Sequence, residues 1–307
     1  MSALLNNEPS RTVLHGGPVD ASPPAGRSQQ KGRVDTSQVL LSASFLVTWV
    51  LVYLFLLSGF EQGHAQSALY DRLRTELADG TAPSGAPIVP GDPVALLSAP
   101  QAGIDDLVVV EGSRPAQLQD GPGHVLGSVL PGQQGVSVVA GRSLSFGAPF
   151  ADLAELRPGS DITVTTGQGV FVYDVIGVRA KGDPMPAAVA AGGSRLTLVT
   201  AARGDGAGGL QASRTVYVDA ALAEGAATAG AVASVDSGAH LMSIATDTTT
   251  LALLALALQL LVLALVGFAW AWSRWSRGAA WVAGAPCVLA ALWLASSIGS
   301  RLLPGLV

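Results

Sequence analysis

Apolar and polar positions divide this chain into three regimes. Val39 to Gly59 (VLLSASFLVTWVLVYLFLLSG) is uncharged for 21 residues, and Leu251 to Trp272 and Ala279 to Ile298 are two further uncharged runs. At about 1.5 Å of rise per residue each run matches a hydrocarbon layer of roughly 30 Å, so three membrane-spanning helices are predicted. Pro286 interrupts the third, which neighbouring helices can accommodate. The second regime is Ala65, Leu69, Leu73 and Leu77 in QSALYDRLRTELADG, a spacing of four that predicts an amphipathic helix ending near Gly80. The third is a series of short apolar or alternating runs between Val94 and Ala220: ALLSA, LVVVEG, VSVVAG, DITVTT, VFVYDVIGV, RLTLVTA and RTVYVDA. Gly, Pro and Asp punctuate them, and seven or eight strands so spaced predict an all-β, closed or nearly closed barrel with short helices. TTGQGVFVYDV reads as a hairpin turning at Gly167 to Gly169, with Phe171, Tyr173 and Val175 on one face. FADLAELRPG reads as a short helical piece ending at Pro158 and Gly159.

The organisation that follows is a disordered cytoplasmic tail (residues 1–37), a first span (38–60), a helix and Pro-rich linker (61–93), a barrel (94–222), a flexible linker (223–248), and spans at 249–273 and 279–299. Arg11, Arg27, Lys31 and Arg33 precede the first span, and Arg274 and Arg277 lie between the second and third. Positive loops stay inside, which places the N-terminus in the cytoplasm and the barrel and the residues after the third span outside, at the plasma membrane. A signal peptide cleaved near Gly63-His64-Ala65 is the competing reading, against which stand the length of the apolar run and the residues before it.

Charge and composition narrow the function. A net charge of -5 with scattered basic residues, only Lys31 and Lys181 being lysines, excludes a nucleic-acid surface. Heavy use of Ala and Gly suggests a G+C-rich, actinobacterial source. Cys287 is the single cysteine and lies in the third apolar run, where a small buried hydrophobe is expected. His15, His64 and His240 have no metal-ligand spacing, no phosphate loop opens a helix, and neither metal nor cofactor is expected.

Between Ser137 and Tyr217 the chain reads SVVAGRSLSFGAPFADL, then RLTLVTA, then SRTVYV, with VALLSAPQAGID and DGPGHVLGSVLPGQQG upstream. In order and wording this resembles a sortase, class E/D-like, a membrane-anchored cysteine transpeptidase whose strands carry A-G-H-R, then T-L-x-T-C, then an arginine. The resemblance implies a sortase-like β-barrel. It also implies a thiolate that attacks an LPxTG-like sorting signal, a histidine that protonates the leaving amine, and an arginine that stabilises the oxyanion. Here the histidine position reads Arg142, the cysteine position Ala201, and the arginine survives as Arg214. A methyl group cannot act as nucleophile, and a guanidinium does not exchange protons near neutral pH. No catalytic residue is therefore expected.

Arg214, Arg142, Thr200, His124 and Ser143 are the candidates for lining a ligand groove. If both arginines face that groove, an anionic ligand would suit it. The alternative turns Arg142 to solvent and pairs Arg214 with an acid such as Asp219. Hydroxyl catalysis by Ser143 or Thr200 with His124 as base is the only other chemistry the residues offer. The expected function is a non-catalytic peptide- or protein-binding scaffold of the cell envelope. Its partners would be cell-surface or membrane proteins, a sorting-signal peptide, or an active sortase. A cysteine-independent hydrolase or transpeptidase, and a structural component of a membrane complex, are the alternatives.

Overall fold

The computed structural model describes residues 36–203, 212–222, 224–232, 248–303 and 305–306. The tail before residue 36 and most of the linker after 232 lie outside the described residues. Two units are distinguished, residues 1–44 and residues 45–307, and only the first turns of one helix are described in the former.

Helix α1 (Thr36–Val52) passes through a π-helical turn at Tyr53–Leu57 into α2 (Ser58–Ala78). Such a turn inserts an extra residue and rotates the faces on either side of it. Tyr53 and Ser58, at its two ends, are both buried. Along α2 the buried face passes through Gln62 and Leu73, and the helix stops at Asp79 with Gly80 left-handed (φ 66°).

The barrel strands are β1 (Pro93–Ala99), β2 (Ile104–Glu111), β3 (Gly123–His124), β4 (Gly135–Ala140), β5 (Asp161–Thr166), β6 (Gly169–Ala180), β7 (Ser194–Arg203) and β8 (Ala212–Leu222). A single turn of helix, α3 (Gln117–Asp120), lies between β2 and β3. The sheet closes in the order β1-β2-β3-β4-β7-β8-β6-β5, β5 pairing back onto β1. β5 and β6 form the expected hairpin, Thr166 opposite Gly169, and strict alternation buries Phe171, Tyr173 and Val175. FADLAELRPG is reduced to a 3₁₀ turn at Leu153–Glu155. The interior is filled from every long strand, by Leu97, Val109, Ile162, Tyr173, Leu198 and Val218 among others. Tyr173 is the polar exception; its hydroxyl accepts from Gly132 N at 2.7 Å and meets Ser194 Oγ at 2.9 Å, so no polar atom is left unsatisfied there.

Residues 224–232 are laid against the barrel. Gln134 N donates to Ala227 O, Ala227 N to Gly132 O, and Ala86 N to Ala231 O.

Helices α4 (Thr248–Arg274) and α5 (Arg277–Ser300) form an antiparallel pair, Ser276 capping α5 through Ala279 N. With the segment that begins at Ser44 they are, among the described residues, the three helices long and apolar enough to cross a membrane. α5 also meets the first helix: Trp49 Nε1 donates to Ser296 Oγ at 3.0 Å and the rings of Tyr53 and Trp293 stand edge-on at 5.7 Å. Cys287 is exposed on α5, a correction to the expectation of burial. An outward position on an apolar helix costs a thiol nothing where the surroundings are hydrocarbon.

Candidate functional site

β4 and β7 are paired in parallel, Ala140 opposite Val199, so both strands end at the same rim of the barrel. That pairing is what brings AGR and TLVTA, distant in sequence, together. One residue beyond Val199, Thr200 donates its hydroxyl to Gly141 O at 3.0 Å, and Gly141 N donates to Val199 O at 2.9 Å, which ties the two strand ends. Gly141 is required by packing, because a Cβ there would fall 2.4 Å from the Phe150 ring.

Arg142, at the histidine position of the resemblance, is wholly buried. Nε donates to Leu118 O at 3.0 Å, Nη1 to Ser145 Oγ at 3.1 Å and Nη2 to Pro115 O at 3.2 Å, while the guanidinium carbon lies 4.9 Å from the centre of the Phe146 ring. Burial pushes its pKa down to about 10, which leaves it a cation at neutral pH. Both expectations for Arg142 are corrected by this geometry: it neither lines an open groove nor turns to solvent. The physical reason is that two carbonyls, a hydroxyl and an aromatic face satisfy the planar fork better than water would at so enclosed a position.

The loop after Arg142 is held in unusual backbone conformations. Phe146 (φ 51°), Gly147 (φ 69°) and Ala148 (φ 47°) are consecutive left-handed residues. Helix α2 holds them there: Ser58 Oγ accepts from Phe146 N at 3.0 Å, and Gln62 lies so close to Gly147 that a Cβ would meet its Oε1 at 1.9 Å.

Ala201, at the cysteine position, is 2% exposed and belongs to an apolar cluster with Leu118, Val125, Ala140, Val199 and Leu306. The last of these comes from the segment after α5. Ser143 N and Ser143 Oγ each approach Leu306 O at 3.2 Å, so both donors of Ser143 converge on one carbonyl. Gln119 of α3 fixes the neighbouring end of α5, its Nε2 lying 2.9 Å from Ser300 Oγ.

Arg214 pairs with Ala202 and its neighbour Thr215 pairs with Ala201. Strand alternation therefore sets Arg214 on the face of the β7–β8 ladder opposite Ala201. It is exposed, and no partner for its side chain is found among the described residues. Asp219, the acid considered for it, instead takes Arg179 Nε at 2.6 Å and Thr197 Oγ1 at 2.7 Å. The two arginines of the expected anion site are thus apart, one enclosed and one in solvent.

His124 lies on β3, beside Glu111 of β2. Its Nδ1 is 2.8 Å from Glu111 Oε2, and its Nε2 is 2.9 Å from Val129 O and 3.0 Å from Ser128 Oγ. A serine, a histidine and a carboxylate in line suggest a hydrolytic triad, but the protons are in the wrong places for one. Val129 O can only accept, so Nε2 carries a hydrogen and has no lone pair for a serine. Ser128 Oγ in turn donates to Val125 O at 2.8 Å and accepts from Val138 N at 3.1 Å. The group is a clamp on the 124–129 turn. Neither Ser143 nor Thr200 is among the contacts of His124, so the hydroxyl pairing considered from sequence is not assembled.

Glu111, Ser128, Ser145 and Leu306 are the site residues that sequence reasoning missed. Spacing carries no signal for the first three. For Leu306 one was available: LLPGLV is an apolar stretch beyond the third span, and such a stretch outside a membrane needs cover.

No curated protein matches the chain. Among solved structures, a Clostridium perfringens sortase D5 transpeptidase is 19% identical with a TM-score of 0.43, covering 52% of this chain and 99% of its own. A sortase from Actinomyces oris is 22% identical with a TM-score of 0.38, over 46% of this chain and 85% of its own. Sortase E from Streptomyces avermitilis is 25% identical with a TM-score of 0.37, over 45% of this chain and 91% of its own. Residues 97–222 match the family model described as Sortase domain, a stretch that runs from within β1 to the end of β8 and is similar to that domain; among the described residues outside it lie three helices long and apolar enough to span a membrane.

Proposed function

We propose that this domain is a class E/D-like sortase homologue that holds a peptide or protein segment at the cell envelope and does not cleave it. The N-terminus is cytoplasmic, the barrel extracytoplasmic, and the partner is a cell-surface or membrane protein. One observation carries the reading: the side chain at the nucleophile position is the methyl of Ala201, enclosed in an apolar cluster. Acyl transfer needs an electron pair on a side chain at that point and a group beside it that gives and takes a proton. Arg142 supports the reading from the other side, because all three of its guanidinium nitrogens donate to neighbouring oxygens in a latch between the loop and α3. Thr200 donates to a backbone carbonyl and His124 Nε2 has no lone pair to offer, which removes the substitutes.

The test is turnover of a fluorogenic sorting-signal peptide by the full-length protein in detergent or nanodiscs. No cleavage above buffer is expected, with unchanged signal for Ser143→Ala, Thr200→Val and His124→Gln proteins. Turnover abolished by any one of these substitutions would return the domain to the transpeptidases.

A further inference from the structure

The rim where β4 and β7 end is already occupied. Leu306 has no exposed surface, and its side chain packs into the cluster formed by Leu118, Val125, Ala140, Val199 and Ala201. Two donors on a single residue, the amide and the hydroxyl of Ser143, are aimed at the backbone carbonyl of that same leucine, each at 3.2 Å. An apolar pocket for a side chain beside a paired donor for the adjoining carbonyl is how a peptide is bound in a fixed register, rather than how a surface covers itself.

We infer that this rim is a peptide-binding site whose resident ligand is the chain's own segment after α5, seated by Leu306 and received by Ser143. The site takes a short apolar peptide with a branched aliphatic side chain, and an external peptide enters only by displacing the resident one. The inference deepens the holding function proposed above and rests on it, since a catalytic domain would have to release this segment at every turnover.

The geometry explains why occupation in cis is favoured. α5 ends at Ser300, whose hydroxyl lies against Gln119 Nε2, and Gln119 adjoins Leu118 of the pocket. Five residues lie between Ser300 and Leu306, so the ligand is delivered by a short tether from a fixed point and its effective concentration at the pocket is high, on the order of millimolar for such tethers. A free peptide of the same sequence has to compete with that concentration.

The methyl of Ala201 provides the probe. In a full-length Cys287→Ser background, Ala201→Cys places a thiol at the floor of the pocket, and its rate of alkylation in nanodiscs reads how often the floor is uncovered. Slow labelling is expected with the segment in place. Ending the chain at Leu302, or replacing Leu306→Asp, is expected to accelerate labelling about tenfold or more, whereas Leu306→Met, which keeps the volume, leaves it slow. Synthetic LLPGLV added in trans is then expected to restore protection to the shortened chain, and a scrambled peptide is not. Restoration separates an emptied site from a chain that has merely come apart. Equal labelling of the full and shortened chains, or fast labelling that the peptide does not slow, overturns the inference. Peptide turnover in the assay of the preceding section would overturn the holding function instead, and the alkylation pattern would stand or fall separately.

Discussion

Two neighbouring places on one barrel show two ways in which a constellation of functional residue types becomes structural. At the end of β4 and β7 packing encloses the side chains: Arg142 lies among carbonyls and Ala201 among aliphatic groups. Beside β2 and β3 the reactive types are present, with Ser128, His124 and Glu111 at hydrogen-bonding distances. Yet the second place is no more able to transfer a proton than the first. A carbonyl, Val129 O, occupies the position at which a base would present its lone pair. Residue identity sets what a group can do, and the partner of each lone pair sets what it does.

This comparison is sharpened most by the change with the largest expected cost. Arg142→Ala removes three donors, leaves the carbonyls of Leu118 and Pro115 buried without them, and opens a cavity; a loss of about 3–5 kcal/mol in unfolding free energy is expected by chemical denaturation. Arg142→Lys is expected to recover less than half, since a point charge cannot serve three separated acceptors. A latch with no structural weight would leave the midpoint unmoved.

Beside β2 and β3, Glu111→Gln replaces a buried carboxylate opposite His124 Nδ1 with an amide, at a cost of about 1.5–3 kcal/mol, the range for hydrogen bonds to charged groups. Ser128→Ala should cost about 1–2 kcal/mol, because Val138 N loses its acceptor. If these two substitutions instead changed hydrolysis of an activated ester while leaving stability intact, the reading of the His124 group as a clamp would be broken.

The smallest effect is in pH dependence. Burial raises the pKa of Tyr173 above that of an ordinary phenol, so above about pH 10 the unfolded chain loses this proton before the folded one does. Tyr173 therefore contributes stability that is full below the unfolded value and falls away as pH rises through the folded value. Arg142 acts with the opposite sign, its folded value near 10 lying below the ordinary one, so that stability rises with pH above about 10 and is level below. Tyr173→Phe should flatten the alkaline loss, measured as Tm between pH 9 and 11. A loss as steep as in the parent would assign it to other groups.

The β elements were legible because each long strand repeats a period of two or an unbroken apolar run. β3 was not, since two residues, Gly123 and His124, carry no period at all. The three long apolar helices declared themselves by length without charge. What composition could not convey was direction and enclosure: Arg142 looks the same in a sequence whether it meets an anion, water or the oxygen of Leu118. The register of β7 on β8 likewise decides that Thr215 and not Arg214 stands opposite Ala201, and a one-residue difference there moves a side chain through the sheet. Leu306 escaped because its partners lie more than a hundred residues away, across two helices, at a distance no local pattern reaches.

The π-helical turn at Tyr53–Leu57 joins α1 to α2 without an intervening coil, and α2 is bolted to the barrel, Gln66 giving and taking hydrogen bonds with Val108 and giving another to Asp120 O. A barrel joined to its apolar helix in this way turns with that helix, because no coil lies between the two to act as a hinge.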